Sequence, residues 1–171
     1  YLKYFVLIRE LLKESQNEIP DHLDESIFYL GQFYHYIWQS SKIAFLFNGN
    51  NEANHSEFDK YLKLRGYKFK NISNKEVCEY SYFSNKNVSI VMDVGSSPDK
   101  KFSNNYQSGP LSFEMVYLGK KIITNSGYFQ NYKHQLNKIS KSTAAHSTLN
   151  IDNASVSKFT KQTNGNSLVE G

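Results

Sequence analysis

Cysteine is almost missing from this sequence: Cys78 is the only one in 171 residues. A lone thiol closes no disulfide within the chain and leaves neither a CxxC pair nor a cysteine cluster for a metal. Long apolar runs are missing too. None approaches the roughly 20 residues that cross a bilayer, so no membrane partner is expected. The apolar opening from Tyr1 to Ile8 is broken by Lys3, runs into Arg9 and Glu10, and has no small-residue cleavage site. That excludes reading it as a signal peptide. A Tyr where an initiator Met would stand suggests part of a longer protein. Histidines His22, His35, His55, His134 and His146 show no H-x-H or i, i+4 pair. No single element therefore offers two imidazoles to one ion.

What is present argues for a folded chain. Hydrophobic residues make up 39% and aromatics 15%, with 13 Tyr and 12 Phe, which is too apolar for disorder. The length has room for one core or two small ones. The formal charge is +4, with lysines scattered apart from a run at Lys60, Lys63, Arg65, Lys68 and Lys70 and pairs at 100–101 and 120–121. Such a balance suits an anionic polymer, nucleic acid or acidic polysaccharide. No nucleic-acid motif accompanies it, so no nucleic-acid partner is expected.

The first third reads as helix. Tyr4, Phe5, Ile8, Leu11 and Leu12 form an amphipathic stripe over Leu2 to Lys13. Pro20 and Asp21 start a second helix with a stripe at Leu23, Ile27, Leu30, Tyr34, Ile37 and Trp38, ending at Ser40-Ser41. A short apolar run, Ile43 to Phe47, stops at Asn48-Gly49-Asn50-Asn51. A third helix is expected after Ser56 as N-cap, with Gly66 as its C-terminal cap. Beyond Gly66 the period becomes two. Strands are expected at Val88 to Asp93, Leu111 to Leu118, Lys121 to Thr124 and Thr148 to Ile151, with a return near Val156 and Phe159 and a polar loop over 160–167. Short strands separated by turns indicate an antiparallel sandwich.

Among candidate groups, His146 stands out by its setting, Ser142-Thr-Ala-Ala-His-Ser-Thr-Leu-Asn-Ile-Asp152. It sits at a predicted strand entrance after two alanines, where an imidazole serves either metal ligation or proton transfer. His134 lies in a polar stretch near Tyr128 and Tyr132.

Thr143 to Asp152 resembles the T-x-A-H-N/S-T-hydrophobic-x-hydrophobic-D signature of heparinase II/III-like proteins. Gln107-Ser-Gly-Pro-Leu-Ser-Phe-Glu114 is similar to their H-x-D-x-x-S-F-E strand, Ile122 to Gly127 to their D-x-G strand, and Phe45 to Gly49 to their interdomain segment. The resemblance implies an α+β architecture: the end of an α/α toroid over residues 1–66, then an antiparallel β-sandwich over 67–171, incomplete in this chain. It also implies β-elimination of an acidic polysaccharide, in which one group neutralises the uronate carboxylate, a base takes the C5 proton and an acid protonates the leaving oxygen. Many family members hold a structural zinc on His and Asp ligands.

The carry-over of residues is partial. His146 matches the signature histidine, but Gln107, Gly109 and Asn125 stand where the family has His, Asp and Asp. Glutamine does not shuttle protons, glycine offers no side chain, and an amide is a poor zinc ligand. No metal and no cofactor are therefore expected. His146 is the candidate catalytic residue, and Tyr106, Gln107, Asn125, Tyr128, Tyr132 and His134 are candidate substrate-binding residues, suited to stacking on sugars and bonding hydroxyls. The expected partner is an acidic polysaccharide, acted on by a parent protein of which this chain alone is an inefficient lyase. A non-catalytic carbohydrate-binding or scaffold role on the same fold is the alternative. Exposed sheet edges favour homo-oligomers. The lone cysteine decides nothing about compartment, and a bacterial periplasm and cytoplasm both fit.

Overall fold

The computed structural model describes residues 1–50, 52–70, 76–128, 134–161 and 167–170. Helices come first: α1 Leu2–Glu14, α2 Asp21–Tyr34, which continues as a π turn over His35–Gln39, and α3 Ser56–Leu64. Five antiparallel strands follow in chain order, β1 Glu76–Val77, β2 Tyr80–Ser84, β3 Val88–Asp93, β4 Phe113–Tyr117 and β5 Lys120–Ile123. After a short helix α4, Leu136–Ser140, strands β6 Phe159–Lys161 and β7 Ser167–Val169 pair as a separate hairpin. The architecture is α+β, helices followed by an antiparallel sheet.

Two apolar clusters hold these parts. Leu2, Val6, Leu23, Ile27, Tyr34, Trp38, Ala44 and Leu62 form the helical one. Tyr36, Phe45 and Phe47 pack on Tyr82, Val91 and Val116 of the sheet in the second. Ile37 borders both, so the π turn and the apolar run after it couple helices to sheet. Asp59 of α3 fixes this turn from the other side. Its carboxylate accepts hydrogen bonds from Tyr34 Oη, Trp38 Nε1, Gln39 Nε2 and Lys42 Nζ at 2.6–3.0 Å.

The second helix is where its stripe predicts. In α1 the buried side differs from the expected one. Leu2, Val6 and Glu10 are buried, while Tyr4, Ile8 and Leu11 face outward. The reason is polar: Glu10 Oε1 accepts from Tyr67 Oη at 2.8 Å, with Arg65 and Arg9 beside it at 3.5 and 3.7 Å. That network turns α1 toward the segment following α3. Ser56 is the first residue of α3 and not its cap; His55 holds the cap position without a side-chain bond, and Asn54 Oδ1 takes the Ser56 N–H at 2.9 Å. Gly66, at φ +81, ends the helix as expected, with Tyr67 N donating to Leu62 O.

Several strand expectations need correction. β4 is shorter than Leu111 to Leu118, because Leu111 has φ +58 and breaks the extended chain. Thr148 to Ile151 forms no strand; Ile151 only bridges Ala154 across a turn of two positive-φ residues, Asp152 and Asn153. Thr148 is instead tied by its hydroxyl to Pro110 O. Val156 lies outside β6, and the expected loop over 160–167 holds strand residues at both ends. Strands β1 and β2 had no glycine or asparagine turn to announce them, since their two-residue turn is Cys78-Glu79 at φ +53 and +63.

Candidate functional site

Beyond β4 and β5 the chain gathers into a buried polar junction. Gln107, 2% exposed, donates from Nε2 to Gly127 O at 2.8 Å and Ser140 O at 3.1 Å. Its backbone N–H reaches Asn48 Oδ1 at 3.2 Å, and its Oε1 faces the Gly49 N–H at 3.4 Å. His146 follows the 3-10 turn Thr143–Ala145, and its Nε2 lies 2.8 Å from the same Ser140 O. A carbonyl only accepts, so Nε2 carries the proton and Nδ1 is the basic nitrogen. Burial pulls the imidazole below its ordinary value, although the Ser140 bond opposes this, leaving the ring neutral at pH 7. Asn125, 3% exposed, accepts the Ser147 N–H on Oδ1 at 3.0 Å.

His146 also edges an open groove of about 400 Å³ lined by Met92, Leu111, Phe113, Thr148 and Leu149. Gly109 lies directly against the ring: a Cβ there would meet His146 Cγ at 3.0 Å and Ser112 Oγ at 3.1 Å. Of the other candidate residues, Tyr106 is buried, pairs its hydroxyl with Ser97 Oγ at 3.2 Å, and borders a different cleft beside Asn48, Asp93 and Phe102. Tyr128 is half-buried, with its N–H on Asn50 O. His134 is exposed at the start of α4, where Nδ1 accepts the Leu136 N–H at 3.3 Å. Tyr132 lies outside the described residues. Gln107, Asn125 and His146 thus share one junction, and Tyr106 and His134 stand apart from it.

The junction rests on a residue outside the candidate set. Glu114 of β4 is fully buried and accepts from Leu46 N, Thr124 Oγ1 and Asn125 N at 2.7–3.1 Å. Lys121 Nζ lies 3.4 Å from the carboxylate, close enough for charge attraction but without an aligned hydrogen bond. The signal was present, as the last letter of the Ser112-Phe113-Glu114 motif. Asn48 is a second such residue, donating to Tyr80 Oη and Asp93 Oδ2 at 2.9 and 2.8 Å while holding Gln107. Among the described residues no three His, Cys, Asp or Glu side chains converge as a metal site.

Helices leading into an antiparallel sheet, with a signature histidine folded onto a strand-end junction, are the arrangement that the heparinase II/III resemblance implies. The heparinase II/III-like C-terminal family profile matches residues 70–170, and the chain belongs to that family. Solved structures agree on the fold. The heparan sulfate lyase HepC from Pedobacter heparinus superposes with a TM-score of 0.71 at 15% identity, covering 94% of this chain and 30% of that one. A heparinase III superposes at 0.61 and 16% identity, covering 94% and 33%. A further heparinase III gene product gives 0.65 and 18%, covering 88% and 28%. The chain therefore spans about a third or less of these structures' length. No curated protein matches it.

Proposed function

We propose that this chain supplies the sheet-side part of an enzyme that cleaves acidic polysaccharide by β-elimination, and that alone it is not an efficient lyase. The observation carrying the reading is His146: a neutral imidazole at an open groove, its Nε2–H anchored on Ser140 O, with Nδ1 as the basic nitrogen. A ring locked in one tautomer is prepared to take the C5 proton as general base, a contribution of about 10²–10⁴ in rate. Tyr128, Tyr132 and His134 supply contacts to the sugar chain from the stretch before α4, and Tyr106 from the neighbouring cleft. Gln107 and Asn125, both buried, act by holding this frame. The carboxylate-neutralising group and the acid come from the helical domain of the complete enzyme. We place the division between helical and sheet parts at residues 66 and 67, with Tyr36, Phe45 and Phe47 contributed to the sheet's core from the helical side.

A second reading is a non-catalytic carbohydrate-binding or scaffold domain. It is favoured by Gln107, Gly109 and Asn125, which put no titrating side chain at three positions of the family motifs. The two readings separate in an assay of the complete protein on heparan sulfate and other uronate polymers. Appearance of the ultraviolet absorbance of unsaturated uronate, lost in His146→Ala, supports the lyase. Binding without that product supports the second reading. We also propose self-association through the edge strand β5, which light scattering at high concentration tests.

A further inference from the structure

The junction of Gln107, Asn125 and His146 has the wrong polarity for a cation. Gln107 Nε2 points its two N–H bonds at Gly127 O and Ser140 O. His146 Nε2 must carry a proton to face Ser140 O. Asn125 Oδ1 is committed to the Ser147 N–H, which turns Nδ2 the other way, and that Nδ2 is buried with no partner among the described residues. Gln107 and His146 thus aim N–H donors at Ser140 O, and the Asn125 carbonyl oxygen is already taken, where a zinc ion needs lone pairs. The fourth position, Gly109, has no side chain, and a Cβ there would press on His146 Cγ at 3.0 Å. The residues present do not fit the zinc that the family resemblance implies.

We propose that hydrogen bonds have replaced the metal: Gln107, Asn125 and His146 form a metal-free staple that joins the segments a central cation would hold. The residues they tie are far apart in sequence. Gln107 links Gly49 after the apolar run, Gly127 after β5 and Ser140 at the end of α4. His146 adds a second donor to Ser140 O, and Asn125 ties β5 to the residue after His146. Buried backbone carbonyls require donors, and the Gln107 amide supplies two with one planar group. The staple is independent of the lyase reading, since it concerns folding and not turnover.

The test measures bound zinc by plasma mass spectrometry and the thermal midpoint of the chain, after chelation and again with excess zinc chloride. The expected result is far less than one zinc per chain and the same midpoint in both. Gln107→Ala should lower the midpoint by about 5–10 °C, because Gly127 O and Ser140 O each lose one donor, keeping only Ser126 Oγ and His146 Nε2, and the buried side chain leaves a void, with no recovery on adding zinc. Should that variant not fold, Gln107→Met keeps the volume without donating and takes its place. One zinc per wild-type chain with a midpoint that falls on chelation would overturn the proposal. A folded Gln107 variant with an unchanged midpoint would overturn it as well.

Discussion

Glu114 Oε2 accepts the backbone N–H of Leu46 at 3.1 Å, so a carboxylate in the middle of the sheet grips the segment arriving from the helices. The same carboxylate holds Thr124 and Asn125 through Oε1, where β5 ends. One side chain thereby sets the distance between helical entry, central strand and the polar junction. Removing it strands three donors and leaves the buried Lys121 Nζ with only Glu52, at 3.7 Å. Glu114→Ala is expected to cost about 3–5 kcal/mol, read from urea unfolding. Adding Lys121→Met to that variant should recover part of the loss, because it removes a buried ammonium left with only the exposed and more distant Glu52 carboxylate. Equal stability of the single and double variants would contradict this account of the pair.

Asp59 gives the helical part an acid limit. Burial pushes its carboxyl upward, but hydrogen bonds from Lys42, Gln39, Trp38 and Tyr34 outweigh burial and hold it below its ordinary value. A depressed folded value means stability that is fully present above the unfolded value, about 3.9, and lost as pH falls through the folded one. The urea midpoint should therefore fall as the pH drops below about 4. Asp59→Asn should show a lower midpoint at pH 7 and a flatter dependence across that acid range. An unchanged slope in the variant would assign the acid sensitivity elsewhere.

Gly109 and His146 are too close for a methyl group to enter freely. A Cβ at 109 would stand 3.0 Å from His146 Cγ, so Gly109→Ala must shift the ring or the backbone by a few tenths of an ångström. The expected cost is about 1–3 kcal/mol, with a changed chemical shift for the His146 ring protons. An unperturbed imidazole resonance in the variant would show that the ring already has room to move.

Local signals made much of this legible in the sequence. The period of α2 and the glycine after α3 are visible in single segments, and both elements are found there. The alternation of Val88 to Asp93 likewise marks β3. Features set by distant partners were not legible. The buried side of α1 depends on Tyr67 and Arg65, far along the chain, meeting Glu10. Thr148 to Ile151 has the alternation of a strand but pairs with no strand among the described residues; Ile151 only bridges Ala154, and the Thr148 hydroxyl bonds Pro110 O. At the site, motif order brought Gln107, Asn125 and His146 forward together. It could not tell that two of them are buried amides whose hydrogen bonds point inward, nor that Glu114 holds the backbone of Asn125.

The most direct test of the central claim is binding of the chain to a panel of uronate-containing and neutral polysaccharides, with wild type and His146→Ala compared under conditions where both are folded. The account predicts selective binding of a uronate polymer that weakens with rising salt and weakens further in the variant. Failure to bind any acidic polysaccharide, or equal binding by wild type and a folded His146→Ala, would contradict a substrate-facing role for this histidine.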